Sequence, residues 1–152
     1  DTPIAVNAKD KDTTITFNLA DKDIIPVSGP LKVEPEWTGE FKMDTSAANK
    51  FINGCGALSD SVHFTFITTD SVQIVLNYEK NRNVDKVSIP MTTISNDGVD
   101  ELSFASQHLR NMLVANKDSE TISIKVSNDG LMEVKCAGSD FQSTYYLLPL
   151  DK

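Results

Sequence analysis

The chain carries one pattern twice. Phe41-Lys42-Met43 is followed by Phe51-Ile52, the alternating run Val62-His63-Phe64-Thr65-Phe66, then Val72 and Val87-Ser88-Ile89-Pro90. Leu102-Ser103-Phe104 opens a second series in the same order. Met112-Leu113, Ile122-Ser123-Ile124-Lys125-Val126, Leu131 and Tyr146-Leu147-Leu148-Pro149 continue it. Met43 to Phe51 and Phe104 to Met112 are both steps of eight. A unit too small to bury its own apolar face buries it against its copy, so a repeated unit implies a domain with internal pseudo-twofold symmetry. The expected architecture is α+β, a duplicated β-α-β-β-β unit.

Local patterns fill in each unit. In the first, Asp44, Thr45 or Ser46 offers a helix cap, and Ala48, Phe51, Ile52 and Cys55 form a stripe at helical spacing. In the second, Ser103 offers the cap, and Ala105, Leu109, Met112 and Leu113 form the stripe. Gly54 and Gly56 each cost about 1 kcal/mol relative to alanine inside a helix, which predicts an early helix end; close approach by another backbone is the alternative. Along the strands, Val62, Phe64 and Phe66 oppose His63 and Thr65, while Ile122, Ile124 and Val126 oppose Ser123 and Lys125. Such alternation gives a sheet with one buried and one wet face. Two helices are therefore expected on one face of largely antiparallel sheets. Asn96-Asp97-Gly98 and Asn128-Asp129-Gly130 suit tight reversals.

Upstream of the repeat, residues 1–21 contain Ile4-Ala5-Val6 and the alternating Thr13–Leu19, both strand-like. Residues 22–36 hold Pro26, Pro30 and Pro35, which forbid a central strand or a helix interior. This segment reads as an extended connector whose Ile24, Ile25, Val27 and Leu31 lie on a surface. The repeated domain spans 37–152.

At 152 residues and 39% hydrophobic content, the chain suits one globular domain plus a little more. Starting at Asp1 without methionine, it reads as a fragment or a trimmed chain. Its net charge of −8 repels nucleic acid on average, so a nucleic-acid role requires a local face of different character. No apolar run approaches the roughly 20 residues of a membrane span, and no signal-like segment is present. Cys55 and Cys136 lie far apart and read as buried reduced thiols, which favours an intracellular, cytoplasmic setting.

Nothing nominates a catalytic site. His63 and His108 sit in no motif with Ser, Cys or carboxylates, and there is no phosphate-cradling glycine loop. Asp10, Asp12, Asp21 and Asp23 have no metal-loop spacing. We expect no enzyme activity, metal or cofactor. The helices are more telling. In an acid-rich chain, Thr45–Ser59 and Ser103–Lys117 contain no Asp or Glu. Opposite the first stripe lie Ser46, Asn49, Lys50, Asn53 and Ala57; opposite the second lie Ser103, Gln107, Asn111 and Val114, flanked by Arg110 and Lys117. Two such helices, related by the repeat, present a neutral-to-positive surface to a polyanion, where Lys, Arg, Asn and Gln touch phosphates without reading sequence.

The chain resembles the DNA sliding clamps, the polymerase processivity factors that include proliferating cell nuclear antigen and the clamps of T4-like phages. The closing Ser143-Thr144-Tyr145-Tyr146-Leu147-Leu148-Pro149-Leu150 is similar to that family's last strand and tail. Leu102-Ser103-Phe104 through Ser119-Glu120-Thr121-Ile122-Ser123-Ile124 is similar to its last helix and following strand. The resemblance implies a DNA-clamp fold for Glu36–Lys152, with 1–21 as the end of a preceding clamp domain and 22–36 as the interdomain connector. It implies a head-to-tail trimeric ring around duplex DNA, helices lining the hole, that tethers a polymerase and is loaded by a clamp-loader ATPase. The family's hole-facing positions fall on Lys50, Asn53, Ala57, Gln107 and Val114. Gln107 and Val114 are not cationic, so Lys50, Arg110 and Lys117 are left to supply the charge, with Asn49 and Asn111 beside them. Subunit contacts are implied at Thr14, Thr16 and Asn18 on one edge and at Val84, Lys86 and Ser88, within a strand Asn83–Ile89, on the other. A partner-peptide pocket is implied at Ile24, Ile25, Pro26, Val27, Tyr146, Leu148 and Pro149. Two other readings compete: a β-rich structural module of a virion with no DNA role, and a small hydrolase with a dispersed site around His63 or His108.

Overall fold

The computed structural model describes residues 5–18, 31–58, 62–68 and 71–150, and the chain divides into two compact units, Asp1–Glu34 and Pro35–Lys152. The expected connector residues Ile24, Ile25, Pro26 and Val27 lie outside the described residues. In the first unit, β1 (Ala5–Asp10) and β2 (Thr13–Asn18) form an antiparallel hairpin. Val6 pairs with Phe17 and Ala8 with Ile15, so the apolar side chains share one face, which is the period-two rule at work.

The second unit contains β3 (Gly39–Met43), α1 (Thr45–Ala57), β4 (His63–Thr68), β5 (Val72–Leu76), β6 (Val87–Pro90), β7 (Thr92–Asn96), β8 (Ser103–Ala105), α2 (Ser106–Ala115), β9 (Thr121–Ser127), β10 (Leu131–Ala137) and β11 (Gln142–Leu147). One sheet has the order β11-β10-β9-β3-β7, the other β6-β5-β4-β8, and all their pairings are antiparallel. The repeat is visible in these orders, for each copy gives its first strand to the other's sheet. β3 pairs with β9, Phe41 opposite Ile124, and β8 pairs with β4, Phe104 opposite Phe64.

The last strand of each copy then crosses between sheets. After β6 ends at Pro90, the chain turns through Met91 into β7, which pairs with β3 in the other sheet. After β11, the Leu150 amide donates to the Ser103 carbonyl on β8 at 2.8 Å. Strands that switch sheets at corners tie two sheets into one body. β7 is thus the counterpart of the C-terminal tail.

The core fills the space the helices close. Phe41, Phe51, Phe64, Phe66 and Phe104 are fully buried and their rings touch: Phe64 of the first copy meets Phe104 of the second at 5.7 Å, while within the first copy Phe66 meets Phe41 at 5.7 Å and Phe51 stands edge-on to Phe64 at 5.3 Å. Buried aromatic pairs of this kind contribute about 0.5–1.5 kcal/mol beyond their area. β10 alternates cleanly, with Met132, Val134 and Cys136 inward and Glu133 and Lys135 half-buried on the other face.

Several sequence expectations give way to tertiary packing. Val62 is exposed and precedes β4. Thr65 is buried, not wet: its hydroxyl bonds the Ser103 hydroxyl at 2.8 Å across the β4–β8 pair, which satisfies both groups out of water. Ser103 is therefore a strand residue and not the α2 cap; Ala105 holds that position with no side-chain bond. α1 does not stop at its glycines. A Cβ added at Gly54 would meet Leu76 Cδ1 at 2.7 Å, so the helix continues to Ala57 and uses the missing side chain to approach the sheet. Asn128-Asp129-Gly130 does turn β9 into β10, with the Gly130 amide donating to Ser127 and φ at +92°. Asn96-Asp97-Gly98 instead begins the link between the copies. There the Asn128 side chain accepts from the Asp100 amide and donates to the Gly98 carbonyl, both at 2.9 Å.

Candidate nucleic-acid interface

The two helices pack against each other, α1 against β3, β5 and β6 and α2 against β4. They run antiparallel. Thr45 and Asn49, from the start of α1, line the same small cleft as Asn116 and Lys117 at the end of α2, and Cys55 near the end of α1 lies within the field of Arg110. α1 starts where it does because the Asp44 carboxylate accepts from the Ala47 amide at 2.7 Å. α2 ends where Asn116 turns back: its amide group donates to the Met112 carbonyl at 2.8 Å and to the Tyr145 hydroxyl at 2.9 Å.

Inward, α1 buries Ala47, Ala48, Phe51 and Gly54, and α2 buries Ser106, Leu109 and Leu113. Ile52, Cys55 and Met112 from the expected stripes are only partly buried, packed at the margin of the core. Outward, Asn49, Lys50 and Asn53 are exposed on α1, as are Gln107 and Asn111 on α2 and Lys117 just beyond it; Arg110 is half-buried. Ser46, Ala57 and Val114 are exposed as well. Six of the seven expected phosphate-facing residues thus lie on the two helices and Lys117 lies just beyond α2, with Asn49 and Lys117 lining one cleft. Gln107 donates to Asn111 at 2.8 Å, a bond between residues four apart that holds both amides along the helix flank.

The electrostatics of this layer follow from what it lacks. Neither helix has an acid in its first turn, where the helix dipole favours one by about 0.3–1 kcal/mol. Among the described residues the ion pairs are Lys80–Glu101 at 3.8 Å and Arg82–Glu79 at 2.9 Å, so Lys50, Arg110 and Lys117 belong to neither. Burial pushes the Cys55 thiol up, against an opposing pull from the Arg110 charge. Among the described residues no group of three His, Cys, Asp or Glu is placed to hold a metal ion. His63 is half-buried with Nε2 2.8 Å from the Tyr78 carbonyl oxygen.

The other expected sites divide. Thr14, Thr16 and Asn18 are exposed on β2. Ser88 is exposed on β6, a sheet edge, but Val84 and Lys86 precede that strand, which begins at Val87 and not at Asn83. The Asn77 side-chain amide bonds the Asp85 carbonyl at 2.9 Å and holds this stretch as a loop. At the tail, Tyr146 and Leu148 line a surface groove of about 430 Å³. Pro149 instead packs over Gly130, its Cγ 3.2 Å from where a Cβ would stand. The groove's other wall is Ala105, His108 and Met112; Ala105 and Met112 were expected only as helix-stripe positions, and His108 only as a flanking residue or the centre of a dispersed hydrolase site. Nothing local marks them, since they meet the tail only through the fold.

No helix among the described residues is long and apolar enough to cross a membrane. No protein-family model matches the chain, and no curated protein matches it at a significant level.

Proposed function

We propose that Pro35–Lys152 is a clamp-type domain of a DNA polymerase processivity factor, and that its α1–α2 layer faces duplex DNA in a head-to-tail ring. The observation that carries this reading is the paired helices. They are joined across a duplicated unit, free of acids in a chain of net charge −8, and flanked by Lys50, Arg110 and Lys117. Contact of this kind is electrostatic and indifferent to sequence, which is what a sliding ring needs, since tight base readout would stop it. The polymerase and the loader would be held elsewhere, with the groove at Tyr146 and Leu148 as one wall of a peptide seat. The reading includes no chemical step.

The test is DNA affinity across a salt series, on a short duplex. Wild type should bind weakly and lose affinity steeply with salt. Lys50→Glu, Arg110→Glu and Lys117→Glu together should abolish binding, whereas Lys42→Glu with Lys135→Glu, on the sheet face, should leave it. Equal loss from both sets, or none from the helix set, would overturn the proposal. The β-rich virion module predicts no loss from either.

A further inference from the structure

An aspartate or asparagine followed by glycine can close on itself. The glycine amide nitrogen attacks the side-chain carbonyl carbon, and the absent Cβ of glycine leaves the approach free. The sequence holds three such pairs, Asn53-Gly54, Asp97-Gly98 and Asp129-Gly130. Closure requires the glycine amide to leave its hydrogen bond and the peptide before it to turn, so the fold decides which pair reacts. Two pairs are locked. Gly54 lies inside α1, where its amide belongs to the helix ladder and Leu76 Cδ1 stands 2.7 Å from where a Cβ would be. Gly130 sits in the turn between β9 and β10. Its amide donates to the Ser127 carbonyl at 3.0 Å, the Asp129 amide donates to the Ser127 hydroxyl at 3.2 Å, and Pro149 packs over it.

Gly98 is held differently. It follows the end of β7 in irregular backbone, with φ at +94°, and a Cβ there would meet nothing within 4 Å. Its amide donates to the Asn96 Oδ1 at 3.2 Å, and the same oxygen accepts from the Val99 amide at 3.2 Å. Both bonds are at the long end of the N–H···O range and share one acceptor, on an exposed side chain. A rotation of that side chain frees the Gly98 amide without loss of a helix or strand bond. The pair is fastened at its two ends instead: the Asp97 amide donates to the Thr38 carbonyl at 2.8 Å, and the Gly98 carbonyl accepts from the Asn128 side chain at 2.9 Å. The peptide between those fastenings is the part left free to turn.

The structure assigns Asp97-Gly98 as a modification site, where the chain isomerises spontaneously to isoaspartate. The Gly98 nitrogen bonds to Asp97 Cγ, and the protonated carboxyl group loses its hydroxyl together with the amide proton as water, leaving a five-membered succinimide. Solvent water then opens the ring at the former main-chain carbonyl. The product has the same atoms and the same charge, with nothing oxidised or reduced, but the Asp97 Cβ now lies in the main chain. That extra carbon falls between the Asp97–Thr38 and Asn128–Gly98 bonds, in the link that joins the two copies. Isomerisation therefore lengthens the chain at the clasp between the copies. The inference does not rest on DNA binding.

The test is to age the whole folded chain in warm neutral buffer made with heavy-oxygen water, then to read its peptides by mass spectrometry with electron-transfer fragmentation, which separates aspartate from isoaspartate. Each ring opening leaves a solvent oxygen behind. Label and isoaspartate should gather at Asp97 about tenfold or more faster than at Asn53 or Asp129. In guanidinium the order should change and Asn53 should lead, because a carboxamide closes faster than a carboxylate once the helix no longer holds it. Asp97→Glu, whose ring needs one more atom, should end labelling at that position. Asn53 or Asp129 keeping pace with Asp97 in the folded chain would sink the assignment, as would an order unchanged by guanidinium, labelling that survives Asp97→Glu, or an unlabelled Asp97 when the unfolded chain has labelled all three pairs.

Discussion

The two copies of the unit share a topology and differ in how they hold their helices. α1 is fixed at its start by Asp44 and brought close to the sheet by Gly54, so its packing rests on small residues and one phenylalanine. α2 has no side-chain cap at its start; it is fixed at its end by Asn116 and packs through Leu109 and Leu113. The same position in a duplicated fold can thus be secured by closeness at one end or by a buried hydrogen-bond anchor at the other. What the duplication preserves is the exchange of first strands, β3 into one sheet and β8 into the other.

The sharpest way to break the comparison is at the point the copies share. Phe64 lies on β4 of the first copy and touches Phe51, Phe66 and Phe104. Phe64→Ala should cost about 3–5 kcal/mol, seen as a lower urea midpoint, and should unfold both copies in one transition. Separate transitions would mean that the copies are independent.

The two anchors come next. Asn116 is buried and makes two bonds, one of them to Tyr145, so Asn116→Ala leaves partners unsatisfied and should cost about 1–3 kcal/mol. Asp44 is exposed and caps one amide, so Asp44→Ala should cost only about 1 kcal/mol. A reversal of that order in chemical denaturation would show α1 to be the more dependent helix.

The smallest effect is a difference in sign. Gly56 has nothing within 4 Å of a built Cβ, so Gly56→Ala should stabilise by about 0.5–1 kcal/mol through helix propensity. Gly54→Ala forces Leu76 to move and should destabilise by about 1 kcal/mol net, the propensity gain notwithstanding. Equal signs in thermal melts would refute the close-approach account of Gly54.

Sequence reading reached those features that short-range periodicity encodes. The repeat of apolar segments, the helices near Phe51 and Leu109, the inward alternation of Ile122, Ile124 and Val126, the Asn128–Gly130 turn and the acid-free stretches are all local, because helix and strand periods are set by the backbone. The helix and strand patterns did not reach partners. Thr65 looked wet because alternation says only that its side chain leaves the Phe64 face, not whether another group covers it. Ser103 looked like a cap because its bond to Thr65 spans 38 positions. Of the candidate site, the acid-free character of the two helices was legible from sequence, while His108 and Met112 became groove walls only when the tail returned past β8.

What the sequence determined alone is thus a duplicated α+β unit with two acid-free helices. The tertiary structure decided which sheet each first strand joins and where Gly54 is required. The physical reason is range. Hydrophobic period and turn chemistry act over a few residues, whereas strand pairing and close packing are settled between segments distant in the chain, by which apolar faces can be covered at once.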